Sequence, residues 1–462
     1  MVIKIPEQVN RAIEILEKNG ESAYIVGGAI RDSLMGRQVG DWDIATGARP
    51  EKTIKAFQNY KTIETGLKHG TVTVIIDGMP LEITSYRIEH GYSDNRHPDS
   101  VDFTDRITDD LARRDFTVNA IAYSPLHGFC DPFGGRNDIE KGIIRCVGDA
   151  DRRFSEDSLR ILRAMRFSAV LGFNIAPETA AGIHKNYKLL KNISVERTFT
   201  EISKLLCGKN AGKLLREYED IIFFIMPELL PMKNCVQNHE RHIFDVWEHT
   251  VKAVESIKPT AELRFAMLLH DSGKPQCKTT DESGTDHFYS HSKFSREIAN
   301  DILIRFKTPT AFRNHICTLV EYHDFVPDKI SKKTYKKQIA SLGSEIINEL
   351  FEVRFADISA QNPKFLSEGI QSNAKGLEIV KEIEAENECL TIKDLEINGN
   401  DIISLGIKPS KKIGEILEIL LDEVMDEKIE NNHIALLGRA VQLIEPQERS
   451  ENYGNSKNRK RP

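Results

Sequence analysis

The chain has 462 residues, of which 40% are hydrophobic and 29% are charged. This composition is that of a globular protein, and it excludes a wholly disordered, collagenous or membrane-embedded chain. Because 70 acidic residues outnumber 63 basic ones, the formal net charge is −7. Any contact with nucleic acid must therefore come from a local basic surface and not from the field of the whole protein.

The cysteines and the apolar segments bear on location. Seven cysteines are scattered along the chain, and none forms a C-x-x-C pair. This argues against a disulfide framework and a thiolate zinc site, and it predicts a cytoplasmic protein. The chain opens with an amphipathic pattern instead of a signal peptide. The most apolar stretch, 221–232, is too short to cross a membrane, so we expect no membrane association. No obligate protein partner is evident.

The first part of the chain combines helix and strand patterns. A helix over 6–18 is followed by an apolar run over 24–26, a glycine turn and another helix. Two runs of β-branched residues, 71–76 and 81–86, are separated by an Asp-Gly dipeptide at 77–78, which is typical of a hairpin turn. This part is predicted to hold the sheet.

The pattern changes after Ser155, where long apolar-periodic segments with few strand signals predict helices. The expected fold class is α+β: an N-terminal head with a mixed β-sheet and helices, followed by an all-α remainder. The polar, basic end of the chain is predicted to be a disordered tail, and contact of that tail with nucleic acid stays open. We expect a head at 1–150, a helical neck at 151–235, a metal-binding domain at 236–345, a helical C-terminal region at 346–448 and the tail at 449–462.

Gly27 and Gly28 lie between the first predicted strand and the following helix. Without a Cβ, their backbone N–H groups can approach a phosphate closely, and the start of a helix favours an anion. Arg31 and Asp32 follow in the first turns of that helix. The same glycines are equally compatible with a purely structural turn.

Asp41 and Asp43 lie two residues apart in the segment that follows. On a strand both would point to one side, while Trp42 would point into the core. Two carboxylates on one face suit Mg²⁺, and two ions there would activate an attacking hydroxyl and stabilise a leaving pyrophosphate. An exposed Asp-x-Asp turn is the alternative, but the glycine turn just upstream favours the metal site.

The succession Gly-Gly-x-x-Arg-Asp and Asp-Trp-Asp-Ile-Ala-Thr resembles the catalytic motif of the class II tRNA nucleotidyltransferases. These are the CCA-adding enzymes of the polymerase-β superfamily. The resemblance implies an enzyme that adds C, C and A to the 3′ end of tRNA from CTP and ATP, without a nucleic-acid template, and releases pyrophosphate. It makes Asp41 and Asp43 the catalytic residues and the ligands of Mg²⁺.

The segment 110–120, Asp-Leu-Ala-Arg-Arg-Asp-Phe-Thr-Val-Asn-Ala, resembles the second motif of this family. The adjacent Arg113 and Arg114 suit a triphosphate, because a guanidinium offers several fixed donors to phosphate oxygens. Asp115 and Asn119 would either orient these arginines or bind the ribose.

Four other segments resemble parts of the same family. They are the flexible loop at 94–103, the element connecting head and neck at 131–135, the neck motif at 194–201 and the C-terminal region at 390–445. In the neck motif we expect Ser194 to cap a helix and Glu201 to brace it. The C-terminal region is expected to grip the tRNA elbow. Glu82, after the hairpin, is either a third carboxylate near the metal ions or a structural residue.

A second constellation follows Ser155, which we expect to cap a helix. In that helix Asp157, Arg160, Arg163 and Arg166 step by three and would form one ridge of side chains. The segment resembles the family motif Glu-Asp-x-x-Arg-x-x-Arg. The resemblance implies that Asp157 and Arg160 read the base of the incoming nucleotide, while Arg163 and Arg166 hold either phosphates or the geometry of the neck.

A third constellation is a set of histidines and aspartates in the helical half. The pattern resembles an HD-type phosphohydrolase domain, and the resemblance implies four metal ligands: His249, His270, Asp271 and Asp324. His291 and His323 are candidates for outer or second-metal ligands. Two imidazoles and two carboxylates suit Mn²⁺, Ni²⁺ or Co²⁺ better than Mg²⁺. The implied activity is 2′,3′-cyclic phosphodiesterase or phosphatase, with an inert remnant as the alternative.

Three alternatives to the CCA-adding activity stay open. A bacterial poly(A) polymerase shares the Gly-Gly, Asp-x-Asp and Arg-Arg-Asp motifs, but typically carries a basic run where this chain has 64–73. A CC-adding enzyme lacks the complete flexible loop. A nucleotide-sensing regulator would not need the paired carboxylates.

Overall fold

The structure, a computed structural model, describes residues 3–67, 70–92, 99–325, 331–386 and 389–452, with side chains described up to residue 444. Residues 94–98 of the expected flexible loop and 453–462 of the expected tail lie outside the described residues. The strands are β1 Ala23–Val26, β2 Asp43–Thr46, β3 Lys61–Ile63, β4 Thr71–Ile76, β5 Met79–Ser85, β6 Arg87–His90, β7 Ser100–Phe103, β8 Ala122–Ser124, β9 Gly128–Cys130, β10 Ile143–Ile144, β11 Asn174–Ile175, β12 Thr279–Thr280 and β13 Asp286–His287.

The helices of the head and neck are α1 Glu7–Lys18, α2 Gly28–Leu34, α3 Pro50–Ala56, α4 Ile107–Ala112, α5 Gly135–Lys141, α6 Ala150–Glu156, α7 Leu159–Leu171, α8 Pro177–Asn186, α9 Val195–Leu206, α10 Ala211–Glu217 and α11 Glu219–Ile225. Those that follow are α12 Val246–Ser256, α13 Ala261–Leu269, α14 Lys274–Cys277, α15 His291–Arg305, α16 Thr310–Tyr322, α17 Lys332–Leu342, α18 Ser344–Ser359, α19 Pro363–Ala385, α20 Gly399–Ser404, α21 Lys411–Met425 and α22 His433–Asn452.

Seven strands of the head form one mixed sheet in the order β3-β4-β5-β2-β1-β8-β9. β2 and β5 are parallel, whereas the other neighbouring pairs are antiparallel. The predicted hairpin is confirmed, because β4 and β5 pair across Asp77 and Gly78, whose φ angles are +47° and +81°. A two-residue hairpin turn requires such positive angles. The predicted α+β class, with its mixed sheet, is confirmed.

The core of the head lies between α1 and the sheet. Val9, Ile13 and Leu16 repeat at helical spacing on one face of α1 and pack in the same cluster as Ile25 and Ile44 of the sheet. Since successive strand residues face opposite sides, burial of Ile44 leaves the preceding residue of β2 facing outward. That residue is the aspartate that the sequence places at the catalytic site.

The neck and the helices after it share one continuous hydrophobic core, which extends from Phe116 to Ile383. The described strands after residue 150 have only two residues each, so the predicted helical remainder is confirmed. A separate apolar cluster, which includes Leu395 and Leu436, holds the C-terminal helices together. Within the described parts of the chain, no helix has the length and the apolar character needed to span a membrane.

The helix predicted to begin after Ser155 begins four residues later. Ser155 lies in the last turn of α6, and its hydroxyl donates to a backbone carbonyl of that helix. Asp157 adopts an extended conformation between α6 and α7, and its carboxylate accepts a hydrogen bond from the backbone N–H of Leu159. The prediction of Ser155 as a helix cap was therefore wrong. Asp157 belongs to the break between two helices and not to the arginine ridge of α7.

Candidate active site and candidate metal centre

A cavity of about 510 Å³ opens between the sheet of the head and α7. Its wall gathers every residue predicted to bind the nucleotide except Asp32, which pairs instead with the neighbouring Arg31. The lining residues are Gly27, Gly28, Arg31, Asp43, Arg113, Arg114, Asp115, Asn119, Asp157, Arg160, Arg163, Arg166 and Phe167. Six arginines in one cavity favour an anionic ligand.

Asp43 in the wall of this cavity has two neighbouring carboxylates, Glu82 and Asp41. Asp43 is the first residue of β2 and lies directly opposite Glu82 of β5 in the parallel register. Burial, followed by the charge of Glu82, raises the pKa of Asp43; Asp41 adds to the increase and Arg114 opposes it. Asp41 precedes the strand instead of lying on it, while Trp42 is buried as predicted. This concentration of negative charge and oxygen ligands suits a divalent cation such as Mg²⁺.

The glycine turn brings the backbone close to one arginine of the second motif. Gly27 has a φ of +72°, and a Cβ added there would lie 2.9 Å from Nη1 of Arg114. A side chain at this position would therefore be strained and would also push the guanidinium aside. The turn is required structurally, and it places Arg114 at the cavity wall.

The two adjacent arginines are held by acidic residues to which the sequence analysis assigned no role. The buried Asp110 accepts hydrogen bonds from Arg113 at 2.7 Å and from Arg114 at 3.3 Å. Burial raises the pKa of Asp110, but the two guanidinium charges outweigh it and the net shift is downward. Glu89 accepts a further hydrogen bond from Arg113 at 3.0 Å. The i, i+3 and i, i+4 spacings from Asp110 were the signal that could have found this pair.

The side chains of Asp115 and Asn119 bind arginines other than Arg113 and Arg114, the pair that they were expected to orient. Asp115 accepts two hydrogen bonds from Arg163, at 2.8 and 2.6 Å, and one from Asn119 at 3.1 Å. Asn119 in turn accepts a hydrogen bond from Arg31 at 2.7 Å. Burial opposes ionisation of Asp115, but Arg163, Asn119 and Arg160 lower its pKa to about 2.

The two residues expected to read the base lie on the neck side of the cavity. Arg160 donates to Glu156 at 2.9 Å and to the backbone carbonyl of Arg113 at 3.3 Å. One oxygen of Asp157 lies 3.5 Å from Nη2 of Arg197. Glu156 and Arg197 were not singled out from the sequence, because their contacts depend on the break between α6 and α7.

Arg166 lines the cavity but is also bound to the neck. Its Nε donates to Glu201 at 2.6 Å, so Glu201 braces the neck as predicted. Ser194 occupies the cap position of α9, but its side chain makes no capping hydrogen bond. The ring of Phe167 lies under three guanidinium groups, those of Arg31, Arg163 and Arg166 at 5.1, 5.4 and 4.0 Å. Such contacts hold the arginines in place by cation–π attraction.

Two groups of histidines and aspartates gather in the helical half. In each group, the potential ligand atoms all lie within 4.8 Å of one another, and the described residues contain no other such group of three or more. The first group contains His249, His270, Asp271 and Asp357. The second group contains Asp271, His291 and His323. The carboxylates of the head do not form such a group, so their metal-binding role stays a proposal.

The first group shows that one of the four expected ligands, Asp324, was wrong. Asp357 of α18, and not Asp324, completes the set with His249 and His270: its Oδ1 lies 2.8 and 3.6 Å from their Nε2 atoms. Asp324 follows α16, has a side chain that is 46% exposed, and lies 3.8 Å from Nε2 of His291. The sequence prediction took the aspartate next to a histidine, whereas the fold brings the carboxylate from a helix 108 residues beyond His249.

The ring orientations of the two histidines in the first group are fixed by backbone carbonyls in a way that suits metal ligands. Nδ1 of His249 lies 3.3 Å from the carbonyl of Ala360, and Nδ1 of His270 lies 2.7 Å from that of Met267. Since a carbonyl only accepts, each ring carries a proton on Nδ1 and turns its Nε2 toward the group, where it can bind a proton or a metal ion. His270 Nε2 is buried without a hydrogen-bond partner among the described residues.

The two carboxylates of this group favour a positive charge beside them. Burial lowers the pKa of His270, but Asp271 and Asp357 outweigh burial and raise it to about 10. The four distances between an imidazole nitrogen and a carboxylate oxygen, 2.8–3.6 Å, suit one ion, because ligands about 2.1 Å from a tetrahedral metal lie about 3.4 Å from each other. The donor set of two nitrogens and two oxygens suits a transition metal.

Known proteins match nearly the whole chain. Three family models match: "Poly A polymerase head domain" at residues 23–145, "Probable RNA and SrmB- binding site of polymerase A" at 172–231 and "tRNA nucleotidyltransferase domain 2 putative" at 279–440. The CCA-adding enzymes of Geobacillus thermodenitrificans and Geobacillus stearothermophilus are 48% and 49% identical. These two matches cover 45% and 44% of this chain, and the chain spans only about half of each relative, 51% and 50%.

A longer match settles the family. The CCA-adding enzyme of Ligilactobacillus salivarius is 33% identical over 96% of this chain and 99% of its own length. The crystal structure of the Bacillus stearothermophilus CCA-adding enzyme in complex with CTP superposes with a TM-score of 0.71 at 29% identity, covering 97% of this chain and 98% of that one. The head sheet, the arginine-lined cavity and these full-length matches agree, and the chain belongs to the family of CCA-adding enzymes, the tRNA nucleotidyltransferases.

Proposed function

We propose that this protein adds C, C and A to the 3′ end of tRNA, using CTP and ATP and no nucleic-acid template. The observation that carries the proposal is the single cavity in which the glycine turn, six arginines, Asp43 and Asp157 come together. A relative that is 29% identical over 97% of this chain has been crystallised with CTP, which supports a nucleotide as the occupant.

In this proposal Asp41 and Asp43 hold Mg²⁺, with Glu82 beside them. The bound metal would supply activation of the 3′-hydroxyl of tRNA and stabilisation of the leaving pyrophosphate. Burial, and then the charges of Glu82 and Asp41, raise the pKa of Asp43. A divalent cation would relieve the repulsion among the three carboxylates, which supports the assignment.

Arg113 and Arg114 bind the triphosphate through charge-assisted hydrogen bonds. Asp110 fixes both guanidinium groups before the nucleotide arrives, so fewer side-chain rotations are lost on binding. Asp115 holds Arg163 in the same way. The protein residues thus orient the nucleotide for the reaction.

Asp157 and Arg160 select the base. Cytosine and adenine both carry an exocyclic amine on the Watson–Crick edge. A carboxylate such as that of Asp157 accepts a hydrogen bond from this amine. The guanidinium of Arg160 donates to the neighbouring ring nitrogen. Uracil and guanine present a carbonyl oxygen where the amine would be, and would leave Asp157 without a partner at a cost of about 1–3 kcal/mol.

The rest of the chain would bring the tRNA to this cavity. The C-terminal region at 390–445 is proposed to grip the tRNA elbow. The division into head, neck, metal-binding domain, C-terminal region and tail is proposed with two of the expected boundaries moved. The metal-binding domain extends beyond 345 to include Asp357 of α18, and the tail begins after α22, which ends at Asn452. All seven cysteines are free, which supports the proposed reducing, cytoplasmic environment.

A primer-extension assay tests the proposal. The unmutated protein is supplied with tRNA lacking CCA, with CTP, ATP and Mg²⁺, and the added nucleotides are counted by type. Addition of C, C and A and then arrest is expected. A run of adenosines from ATP alone would identify a poly(A) polymerase, addition of two cytidines and no adenosine would identify a CC-adding enzyme, and tight nucleotide binding without addition would identify a regulator.

A second activity is favoured by a separate observation, the buried histidine and aspartate group. We propose that His249, His270, Asp271 and Asp357 bind a divalent ion such as Mn²⁺, Ni²⁺ or Co²⁺, and that this HD-type centre hydrolyses 2′,3′-cyclic phosphates or phosphomonoesters. A cavity of about 390 Å³, lined in part by Asp357, Asp324 and Arg354, lies beside the group and gives a phosphoester access to it.

The metal content of the chain tests this second proposal independently of hydrolysis. The protein is loaded with Ni²⁺, freed of excess ion and analysed by mass spectrometry. Retention of Ni²⁺ that is lost on the change Asp357→Asn is expected, and equal retention by both proteins would contradict the assignment. The matched control is Asp220→Asn, which removes a carboxylate that pairs with His184 at the surface.

A further inference from the structure

The cavity of about 390 Å³ beside the histidine group is a groove between two packed helices. Arg354, Asp357 and Ile358 of α18 line it, and their spacing of three and four residues places them on one side of that helix. α19 packs against α18 and supplies four more lining residues between 368 and 373. A Cβ on Gly369 would lie 2.7 Å from Cγ2 of Ile358, so the glycine lets the two helices lie close together at this point.

The histidine group opens into this groove on one side. The side chains of His249, His270 and Asp271 are at most 1% exposed, whereas that of Asp357 is 21% exposed. Of these four residues, Asp357 is the one that lines the groove. A molecule that reacts at the proposed metal centre therefore approaches it along the groove.

Arg354 lies one helical turn before Asp357 and brings a guanidinium group to the same groove. Its Nη2 donates to the carbonyl of Phe325, and its Nε is buried without a hydrogen-bond partner among the described residues. The two carboxylates that act on its charge, Asp324 and Asp357, pair with histidines instead. Within the described ranges Arg354 forms no ion pair with a carboxylate. A partly buried cation without such a partner favours an anionic ligand.

Arg241, from the segment before α12, brings a second guanidinium group to the outer part of the groove. Its side chain is 41% exposed, and its Nη2 lies 3.7 Å from Glu368, which is 71% exposed. The backbone carbonyl of Arg241 accepts a hydrogen bond from Asn362 at 2.8 Å, and its guanidinium carbon lies 4.9 Å from the ring centre of Phe365. These contacts hold Arg241 beside α19, and because an exposed pair is weak, they leave its charge available to a ligand.

We infer that Arg354 binds the phosphoryl oxygens of the ester that is hydrolysed at the histidine centre, and that Arg241 attracts the same anion at the entrance of the groove. The inference rests on the proposed phosphohydrolase function and adds the residues that recognise its substrate. A guanidinium group offers several donors in a fixed geometry to phosphate oxygens. Because Arg354 is one turn from Asp357, a phosphoryl group bound to it lies beside the ion that Asp357 holds.

The experiment measures inorganic phosphate beside Mn²⁺ in the histidine centre of the full chain. The changes Asp41→Asn and Asp43→Asn are made first, so that the carboxylates of the head hold no Mn²⁺, and the protein is loaded with Mn²⁺ and freed of excess ion. Broadening of the phosphorus resonance reports phosphate near the bound ion, because paramagnetic relaxation falls steeply with distance. Saturable broadening is expected, with an affinity that Arg354→Gln lowers about tenfold or more and Arg241→Gln about threefold.

Arg296→Gln is the matched control, because it removes a guanidinium group that is 51% exposed and pairs with Glu321; it is expected to keep the affinity for phosphate. Arg354→Lys keeps the charge and is expected to recover part of the affinity, which separates a lost contact from a distorted groove. The Mn²⁺ content is measured for every variant. If Arg354→Gln does not fold, Arg241→Gln decides, and an unchanged affinity there would overturn the inference.

Two further results separate this inference from the proposed function. Failure of the background protein to retain Mn²⁺ would overturn the metal centre and the inference with it. Retained Mn²⁺ with phosphate that is not broadened, or that binds equally well to folded Arg354→Gln, would overturn the inference and leave the metal centre in place.

Discussion

The nucleotide cavity and the histidine group both bury charge, but they compensate for it in opposite ways. In the cavity the arginines meet acidic partners: Asp110 holds Arg113 and Arg114, Asp115 holds Arg163, and Glu201 holds Arg166. In the histidine group the acceptors face one another, and His270 Nε2 and Asp271 Oδ1 have no described hydrogen-bond partner. A buried charge is costly unless it is paired. Ion pairs therefore satisfy the first region, whereas in the second Lys274 pairs with Oδ2 of Asp271 at 2.7 Å, and we expect a bound cation to satisfy the remaining acceptors.

The two regions therefore depend on different interactions to keep their geometry. The cavity is preorganised by ion pairs inside the protein, and we expect its geometry to persist when nucleotide and metal are removed. The histidine group is proposed to bind a cation, and we expect its stability to depend on that cation through mass action. Perturbing the two regions separately should therefore give different responses.

The largest expected effect comes from removing two adjacent ligands of the histidine group, His270 and Asp271. The double change His270→Ala/Asp271→Ala should abolish metal retention and any hydrolysis of 2′,3′-cyclic or terminal phosphates, while CCA addition continues. Metal analysis and both activity assays on the same preparation check this, and Ni²⁺ or Mn²⁺ should stimulate hydrolysis only in the unmutated protein. Loss of CCA addition in a folded double variant would show that the two regions are coupled.

The second effect concerns selection of the base in the cavity. Asp157→Ala or Arg160→Ala should reduce discrimination of CTP and ATP against UTP and GTP by about 10–100-fold, since each buried hydrogen-bonding group is worth about 1–3 kcal/mol. The measurement is kcat/KM for each of the four nucleotides. Slower addition with unchanged selectivity in both variants would contradict the role in base reading.

The third effect is a pH dependence of stability that originates in the cavity. The folded-state pKa of Asp115, about 2, is below its unfolded value. Its ionisation therefore stabilises the fold above a pH of about 4, and the contribution is lost as pH falls from there to about 2. Asp115→Asn should lower the free energy of unfolding by about 2 kcal/mol at pH 7 and by less at pH 3.

Urea denaturation of both proteins at the two pH values measures this difference. Asp77→Asn, in the hairpin turn where asparagine tolerates positive φ, serves as a surface control and should change stability little at either pH. An equal loss for Asp115→Asn at both pH values would mean that the carboxylate contributes packing and not charge.

The smallest effect tests the contact between the glycine turn and Arg114. Gly27→Ala and Gly36→Ala both force alanine into the left-handed region, with φ of +72° and +67°, and each should lose about 1–2 kcal/mol of stability. A Cβ at Gly27 lies 2.9 Å from Arg114, whereas nothing lies within 4 Å of a Cβ at Gly36. Only Gly27→Ala should weaken CTP binding, by about fivefold or less. Equal affinities by calorimetry would exclude a role for that contact.

Local patterns in the sequence predicted local structure well. The Asp-Gly turn, the helical spacing of α1 and the two glycines each determine a conformation through neighbouring residues, and the structure has them where expected. The resemblance to known motifs identified almost the whole wall of the cavity. Steps of three residues, however, did not reveal the break at Asp157, where the backbone is extended and the carboxylate accepts a hydrogen bond from the N–H of Leu159.

Contacts between distant segments were the ones that sequence reasoning missed. Asp357 reaches the histidine group because α18 packs against α12 and α13, and no spacing along the chain indicates this. Glu89 of β6 reaches Arg113 in the same way. Asp324 was chosen because it follows His323 directly, yet at the end of α16 its side chain turns toward solvent. Tertiary packing, and not local propensity, selects such ligands.

The most direct test of the central claim, that the cavity transfers nucleotides with the carboxylates as metal ligands, is single-turnover addition by Asp43→Asn. The account predicts that addition of the first cytidine slows by about 10³-fold or more, a loss of at least about 4 kcal/mol of transition-state stabilisation. It also predicts that tRNA affinity, measured by filter binding, stays within about twofold, and that the surface control Asp77→Asn matches the unmutated protein in both. Substantial addition by folded Asp43→Asn would contradict the account.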